Sequence, residues 1–298
     1  MQPSGDVLLL YPHQLFESNK SFFPQIRRAV LVEDPLYFHQ FAFHKKKLVL
    51  HRATLRMHAV HLRGAGFDID YIELGQMRSI HSVLIGLKAE GVLRVHYIDV
   101  VDDWLQRALV DAARTAGLGL VRHETPMFIT DRQTLAFHFA PSTRPHMAGF
   151  YASQRLDRRI LVERGRPVGG QWSFDSDNRK RLPAGALSRS IHTPKANEHV
   201  AEALRYVNEH FPGSPGRAES FEYPVTYEDA HAWLEQFCEE RLAHFGDYED
   251  AISQDQAVFG PIAATFPIVS GGALQESLPS TLSFNVFWRV LMRTTSSG

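Results

Sequence analysis

Apolar residues gather into short, nearly unbroken runs through the first half of the chain, and these runs alternate with amphipathic stretches. "DVLLLYP" (Asp6–Pro12), "RAVLVED" (Arg28–Asp34), "GFDIDYIEL" (Gly66–Leu74), "GVLRVHYIDV" (Gly91–Val100) and "LGLVRHETP" (Leu118–Pro126) read as strands. Several are apolar at almost every position, the pattern of parallel strands covered on both faces. Helical periodicity fills the gaps at Phe41–Arg63, Ser79–Glu90 and Val101–Ala116. The last of these places acids in its first turn, where the helix dipole favours them, and stops at Gly117. The alternation predicts a doubly wound α/β domain with a parallel five-stranded sheet over residues 1–140.

The pattern then changes. Arg144–Arg164 predicts a helix ending at Gly165, followed by a loop over Arg166–Thr193. Asn197–Phe211 predicts a helix and "PGSPGR" a break. Thr226–His244 predicts another helix, capped by Thr226 with Asp229 three residues on, and striped by Trp233, Leu234, Phe237 and Leu242. Residues 141–253 thus read as a connecting helix, a long loop and the start of a helical region. From 254 to 298, Gly, Pro, Ser and Thr interrupt each apolar run before it completes an element, so a divergent, poorly ordered tail is expected.

Composition narrows the class. With 44% hydrophobic and 22% charged residues the chain is globular, and a net charge of −1 means that any nucleic-acid contact must be local. The single cysteine, Cys238, excludes an internal disulfide and a four-thiolate cluster held by this chain alone. No run approaches the roughly 20 apolar residues of a membrane span. The N-terminus lacks the basic start of a signal peptide, so a cytoplasmic location without a membrane partner is the expectation. Oligomeric state leaves no legible pattern.

Four groups of residues carry candidate chemistry. The Phe41–Arg63 stretch holds Lys45, Lys46, Lys47 and Arg52 without an acid, as a phosphate or nucleic-acid contact would, or as a solvated helix face would. His44, His51 and His58 recur every seven residues, about 10 Å apart along a helix and too far for one ion. No metal site is expected. Dinucleotide, P-loop, nucleophile-elbow and zinc-protease motifs are absent. "YPHQLF" instead follows the first strand, where doubly wound sheets bind ligands, so His13 and Gln14 either present hydrogen-bonding groups there or make a plain polar turn. Finally, "RPVGGQWSFDSDNRKRLP" sets Trp172 and Phe174 beside Asp175 and Arg179. Aromatics inside a charged loop favour a strap laid across the protein body over a ligand or DNA contact.

Three segments, "LVEDPLYFHQFAFHKKKLVLHRATLRMHA", "RRILVERGRPVGGQWSFDSDNRKRLP" and "HFGDYEDAISQDQ", resemble the deoxyribodipyrimidine photolyase-related family. These are the iron–sulfur bacterial cryptochromes, or prokaryotic (6-4) photolyases, and the resemblance spans residues 5–257. It implies an α/β antenna domain, an interdomain connection at the Trp172 loop, and a helical domain holding FAD. The implied activity is light-driven repair of damaged DNA, at a pyrimidine dimer or (6-4) photoproduct, with a 4Fe-4S cluster and a lumazine antenna as further cofactors. The antenna would lie around His13, Gln14, Glu33 and Tyr37, although "YPHQL" stands where antenna-binding relatives carry a Gly-Asp-Gln type turn. After "SQDQ" the chain leaves the family pattern, so a truncated or frameshifted photolyase portion without the flavin domain, or a paralogue, is expected. No catalytic residue is assigned. The alternative is a non-catalytic α/β ligand-binding or interaction module.

Overall fold

Five strands of five residues each, β1 (Asp6–Leu10), β2 (Arg28–Val32), β3 (Asp68–Ile72), β4 (Arg94–Ile98) and β5 (Gly119–His123), form one parallel sheet in the order β3-β2-β1-β4-β5. The computed structural model describes residues 5–17, 23–76, 79–128, 130–140, 144, 146–174, 180, 194, 197–219, 221–240, 242 and 247. Between the strands lie helices α1 (Pro35–Phe38), α2 (Lys45–Gly64), α3 (Ile80–Ala89) and α4 (Asp103–Ala116). The expected doubly wound sheet is therefore present, with all five strands where the apolar runs placed them.

The unbroken apolar runs have the predicted cause. Val7 and Leu9 of β1, with Tyr11 just after it, pack on one face with Leu84, Leu87, Leu105 and Leu109 of α3 and α4. Leu8 and Leu10 pack on the other with Leu55, Ala59 and Leu62 of α2. Side chains alternate across a strand, so burial on both faces demands an apolar residue at every position. Right-handed crossovers put α2 on one face while the chain runs outward from β1 to β3. After the chain returns past β1 to β4, the same handedness puts α3 and α4 on the opposite face.

Local signals set the element ends. Helix α2 begins at Lys45 rather than Phe41, because the His44 imidazole accepts the Lys46 N–H and caps it. Asp102 caps α4 through the Leu105 N–H, and Gly117 closes it at φ 66°, a left-handed C-cap that glycine enters without penalty. Among the described residues no helix is long and apolar enough to cross a membrane.

By contact the chain divides into two units, one from residues within 1–127 and 193–229, the other from residues within 128–192 and 230–266. In the first, α7 (Glu198–His210) lays Ala203, Val207 and the following Phe211 against Leu48, Val49 and Ala53 of α2. Thr226 caps α8 (Tyr227–Glu240) as expected, accepting the Asp229 N–H at 3.1 Å and donating to its carboxylate at 3.0 Å.

The second unit contains α5 (Arg132–His138), which the residue pattern did not announce, and α6 (Met147–Asp157). The helix expected to run to Arg164 stops seven residues earlier. Arg159, Leu161 and Arg164 adopt φ between 49° and 54°, and the chain turns into a hairpin of β6 (Val162–Glu163) and β7 (Arg166–Pro167). Arg155 explains the arrest. Its buried guanidinium donates to the carbonyls of Ile160, Leu161, Gln171 and Trp172 at 2.7–3.3 Å, between the rings of Tyr151 and Trp172. A continued helix would commit the Ile160 and Leu161 carbonyls to amides one turn on along its axis; the left-handed backbone at Arg159 and Leu161 leaves them to the cation instead. Phe174 packs so closely on Gly169 (φ 80°) that no side chain fits there. Asp175, Arg179 and the 254–298 tail lie outside the described residues.

Within the described part of this loop, Arg155 donates the hydrogen bonds that hold Ile160, Leu161, Gln171 and Trp172 together. Arg155→Met should strip four carbonyls of their donor, cost about 2–3 kcal/mol, and speed tryptic cleavage between Arg158 and Arg166. Trp172→Ala should speed it less, and unchanged kinetics in both variants would remove the latch.

Candidate functional site

The chain moves outward from β1 in one direction, then returns to its other side, so the sheet has a topological switch point between β1 and β4. Ligands of open α/β sheets bind outside the carboxyl ends of the strands at such a point. The segments that leave the strands there are Tyr11–Gln14 after β1, Glu33 and Asp34 after β2, Glu73 after β3 and Asp99–Asp102 after β4.

Gln14 stitches the crevice floor. Its side chain is buried, accepts the Tyr11 N–H at 3.3 Å, and donates to the carbonyls of Ile98 at 2.8 Å and Asp99 at 3.4 Å. His13 crosses the same gap. Its Nε2 lies 3.1 Å from the Val100 carbonyl, which can only accept, so the proton sits on Nε2. Nδ1 then accepts from the Tyr37 hydroxyl at 2.5 Å, with the two rings stacked at 5.5 Å. Burial lowers the His13 pKa to about 4, against the opposing pull of the Val100 carbonyl. Val101, beside this bond, adopts φ 57°. A β-branched residue held in that region stores strain of about 1–3 kcal/mol, and such strain clusters at functional sites.

Tyr37 also meets His51 edge-on, 5.3 Å between centroids. His51 is 6% exposed, and its Nε2 is buried without a hydrogen-bond partner. Burial drives its pKa down to about 3, with the charges of Lys47 and His13 adding to the shift. A buried imidazole nitrogen left unpaired costs about 1–3 kcal/mol.

A polar network gathers around Glu33 and Arg52. Glu33, fully buried, accepts two bonds from Arg52 at 2.7 and 2.8 Å, one from the Tyr71 hydroxyl at 2.6 Å and one from the Leu74 N–H at 2.9 Å. Arg52 also binds Glu202 of α7 and Glu73, and its guanidinium lies 3.6 Å from the Tyr206 ring centroid. Arg56 joins Glu73 and Glu202. Burial pushes the Glu33 carboxyl up, while Arg52 and the two hydrogen-bond donors pull it back toward the ionised form.

His13, Gln14, Glu33 and Tyr37 therefore come together at one sheet edge. The basic set does not. Arg52 is buried among carboxylates, Lys47 sits 3.8 Å over the Phe43 ring, Lys46 faces Tyr223, and Lys45 reaches Asn208. The sequence reading passed over Glu73, Tyr71, Glu202, Tyr206 and the open valence of His51. Glu73 carried a signal, as an acid directly after a strand, but Glu202 is paired across 150 residues. Among the described residues no group of three or more His, Cys, Asp or Glu could hold a metal ion.

A doubly wound α/β unit with a topological switch point between β1 and β4 is the class that this geometry defines. The family is specific. The model of the deoxyribodipyrimidine photo-lyase-related proteins matches residues 8–223, so the chain belongs to that family. It is 29% identical over 217 residues to a (6-4) photolyase of Agrobacterium fabrum, covering 71% of this chain and 43% of that protein. It is 26% identical over 190 residues to uncharacterized protein R852 of Acanthamoeba polyphaga mimivirus, covering 60% of this chain and 95% of that protein. The chain thus spans less than half the length of the photolyase that it matches.

Two outcomes test the site. Arg52→Met should leave Glu33 buried without a cation and cost about 3–5 kcal/mol in denaturant unfolding; a loss below 1 kcal/mol would class the pair with surface bridges. Acid should weaken the fold early. His13, His51 and His58 have pKa values of about 4, 3 and 3 in the folded state, all below the ordinary 6.5. As pH falls below 6.5, the unfolded chain takes up protons that the folded chain refuses, and each histidine removes about 1.4 kcal/mol per pH unit. The melting temperature should therefore drop between pH 6.5 and 5, and a flat profile there would contradict the buried neutral imidazoles.

Proposed function

We propose that this chain is the α/β, antenna-type portion of a photolyase-type DNA-repair protein, with a ligand crevice formed by His13, Gln14, Tyr37 and His51. The family match over residues 8–223, which includes both the crevice and the strap, carries this reading. In full-length form such a protein repairs a pyrimidine dimer or (6-4) photoproduct in damaged DNA, using light and reduced FAD. The likeness to a (6-4) photolyase supports that activity for the longer protein. A 4Fe-4S cluster needs more thiolates than Cys238 supplies, so this chain alone does not hold one.

The residues present fit a small heteroaromatic antenna such as a lumazine, which would supply light absorption. The Tyr37 hydroxyl donates to His13 and keeps a lone pair free to accept. The His51 ring meets the Tyr37 ring edge-on, and its Nε2 has no hydrogen-bond partner. Gln14 and Glu33 act differently: their polar atoms are bonded within the protein, so they shape the crevice.

A second reading has its own support. Nearly all of protein R852 aligns with this part of the chain, which favours a non-catalytic α/β ligand-binding or interaction module. Absorbance of the purified chain after incubation with a lumazine separates the two. Retained lumazine supports the antenna portion; no retained chromophore supports the module. His51→Leu should abolish chromophore retention while leaving the melting temperature unchanged or raised, because it removes an unsatisfied buried nitrogen. Retention of chromophore by His51→Leu, or failure of the parent chain to retain added lumazine, would overturn the crevice assignment.

A further inference from the structure

The loop after α7 folds back on the start of α2 and leaves an open cleft of about 630 Å3, lined by Lys45, Gly216, Arg217 and Glu219. The loop is fixed there. The Lys45 N–H donates to the Pro215 carbonyl at 2.9 Å, and the His44 ring occupies the space where a Cβ on Gly216 (φ 81°) would stand. Only glycine fits both demands.

Lys45 Nζ reaches Asn208 Oδ1 at 3.3 Å, and Asn208 donates in turn to Glu219 at 3.4 Å. Its own backbone N–H and the bond from Asn208 hold the Glu219 carboxyl below its ordinary range, and the charges of Lys45 and Arg217 add to the shift. The exposed Arg217 guanidinium makes no side-chain hydrogen bond among the described residues. Two cations thus converge on a concavity that holds one carboxylate. The backbone does not supply the site. The first N–H groups of α2 are bonded to Pro215 and His44, so the helix end adds only its dipole.

We propose that this cleft binds a small phosphorylated molecule, with Lys45 and Arg217 as the phosphate ligands and Glu219 accepting a hydroxyl. An arginine fork beside a lysine point charge matches the oxygens of a phosphate dianion. The volume lies within the ordinary range of small-molecule sites, about 300–1,000 Å3. A nucleic-acid backbone fits less well, because it needs cations in a row. Lys46 and Lys47 instead turn to the rings of Tyr223 and Phe43. The proposal is independent of the switch-point crevice.

Calorimetric titration of the full chain with inorganic diphosphate, then inorganic phosphate, tests it. Saturable one-site binding is expected. Lys45→Glu and Arg217→Glu should each weaken it at least about tenfold, the weight of a charge-assisted hydrogen bond. Glu219→Gln should tighten it, and Arg107→Glu, on α4 at the opposite face of the sheet, should leave it unchanged. Circular dichroism checks that each variant is folded. No saturable binding, or an equal loss with Arg107→Glu, overturns the site. Tighter binding of a single-stranded oligonucleotide without a terminal phosphate, weakened by Lys45→Glu, moves the partner to nucleic acid and overturns the small-molecule assignment.

Discussion

The first unit is organised around a buried ion pair. Glu33 and Arg52 are 0% and 2% exposed at their side chains, and neither charge could remain there without the other. Glu33 fixes the end of β2, its bond from the Leu74 N–H fixes the turn after β3, and Arg52 fixes the rotation of α2. Glu202 then brings α7 onto the same cation. Apolar burial is non-directional, so it does not by itself fix the register of α7 on α2. The charged contacts admit one register. Such a network stabilises little beyond its desolvation cost, and its main consequence is a single arrangement of four elements.

That arrangement also prepares the crevice. With β2 and α2 held in register, Tyr37 and His51 stand beside His13 at the carboxyl edge of the sheet. Satisfied polar groups and one unsatisfied nitrogen coexist there. Gln14 and His13 tie the β1 and β4 turns together across the switch point. The unpaired His51 nitrogen and the left-handed Val101 are local costs that the rest of the unit supports. The second unit uses a related device. Arg155 is a buried cation answered by carbonyls rather than carboxylates, and three left-handed residues are the backbone cost of pointing those carbonyls inward.

Much of the fold was legible in one dimension because its signals are local. Apolar runs of strand length, acids or Ser at helix starts and Gly117 at a helix end depend on neighbours within a few residues. His13 and Gln14 were legible for a topological reason, since they follow the first strand at its carboxyl end, whereas Glu33 and Tyr37 joined them only through the family resemblance. The misjudged helix end at Arg164 shows the limit. Helical propensity through Arg158 and Arg159 is ordinary, and what stops the helix is Arg155 reaching forward to Trp172.

The sequence by itself determined the class of fold, the places of the five strands and the family, since each follows from periodicity, turn chemistry or extended motifs. Tertiary structure alone decided the roles of the charged residues. Arg52 sits in a run of lysines and arginines that reads as a phosphate contact, yet it belongs to Glu33, Glu73 and Glu202, which approach from three other elements. Lys45, from the same run, faces Arg217 across a cleft built by a loop 170 residues away in the chain. A charge is a property of one residue, but whether it is buried, paired or free depends on what the fold brings within a few ångströms of it.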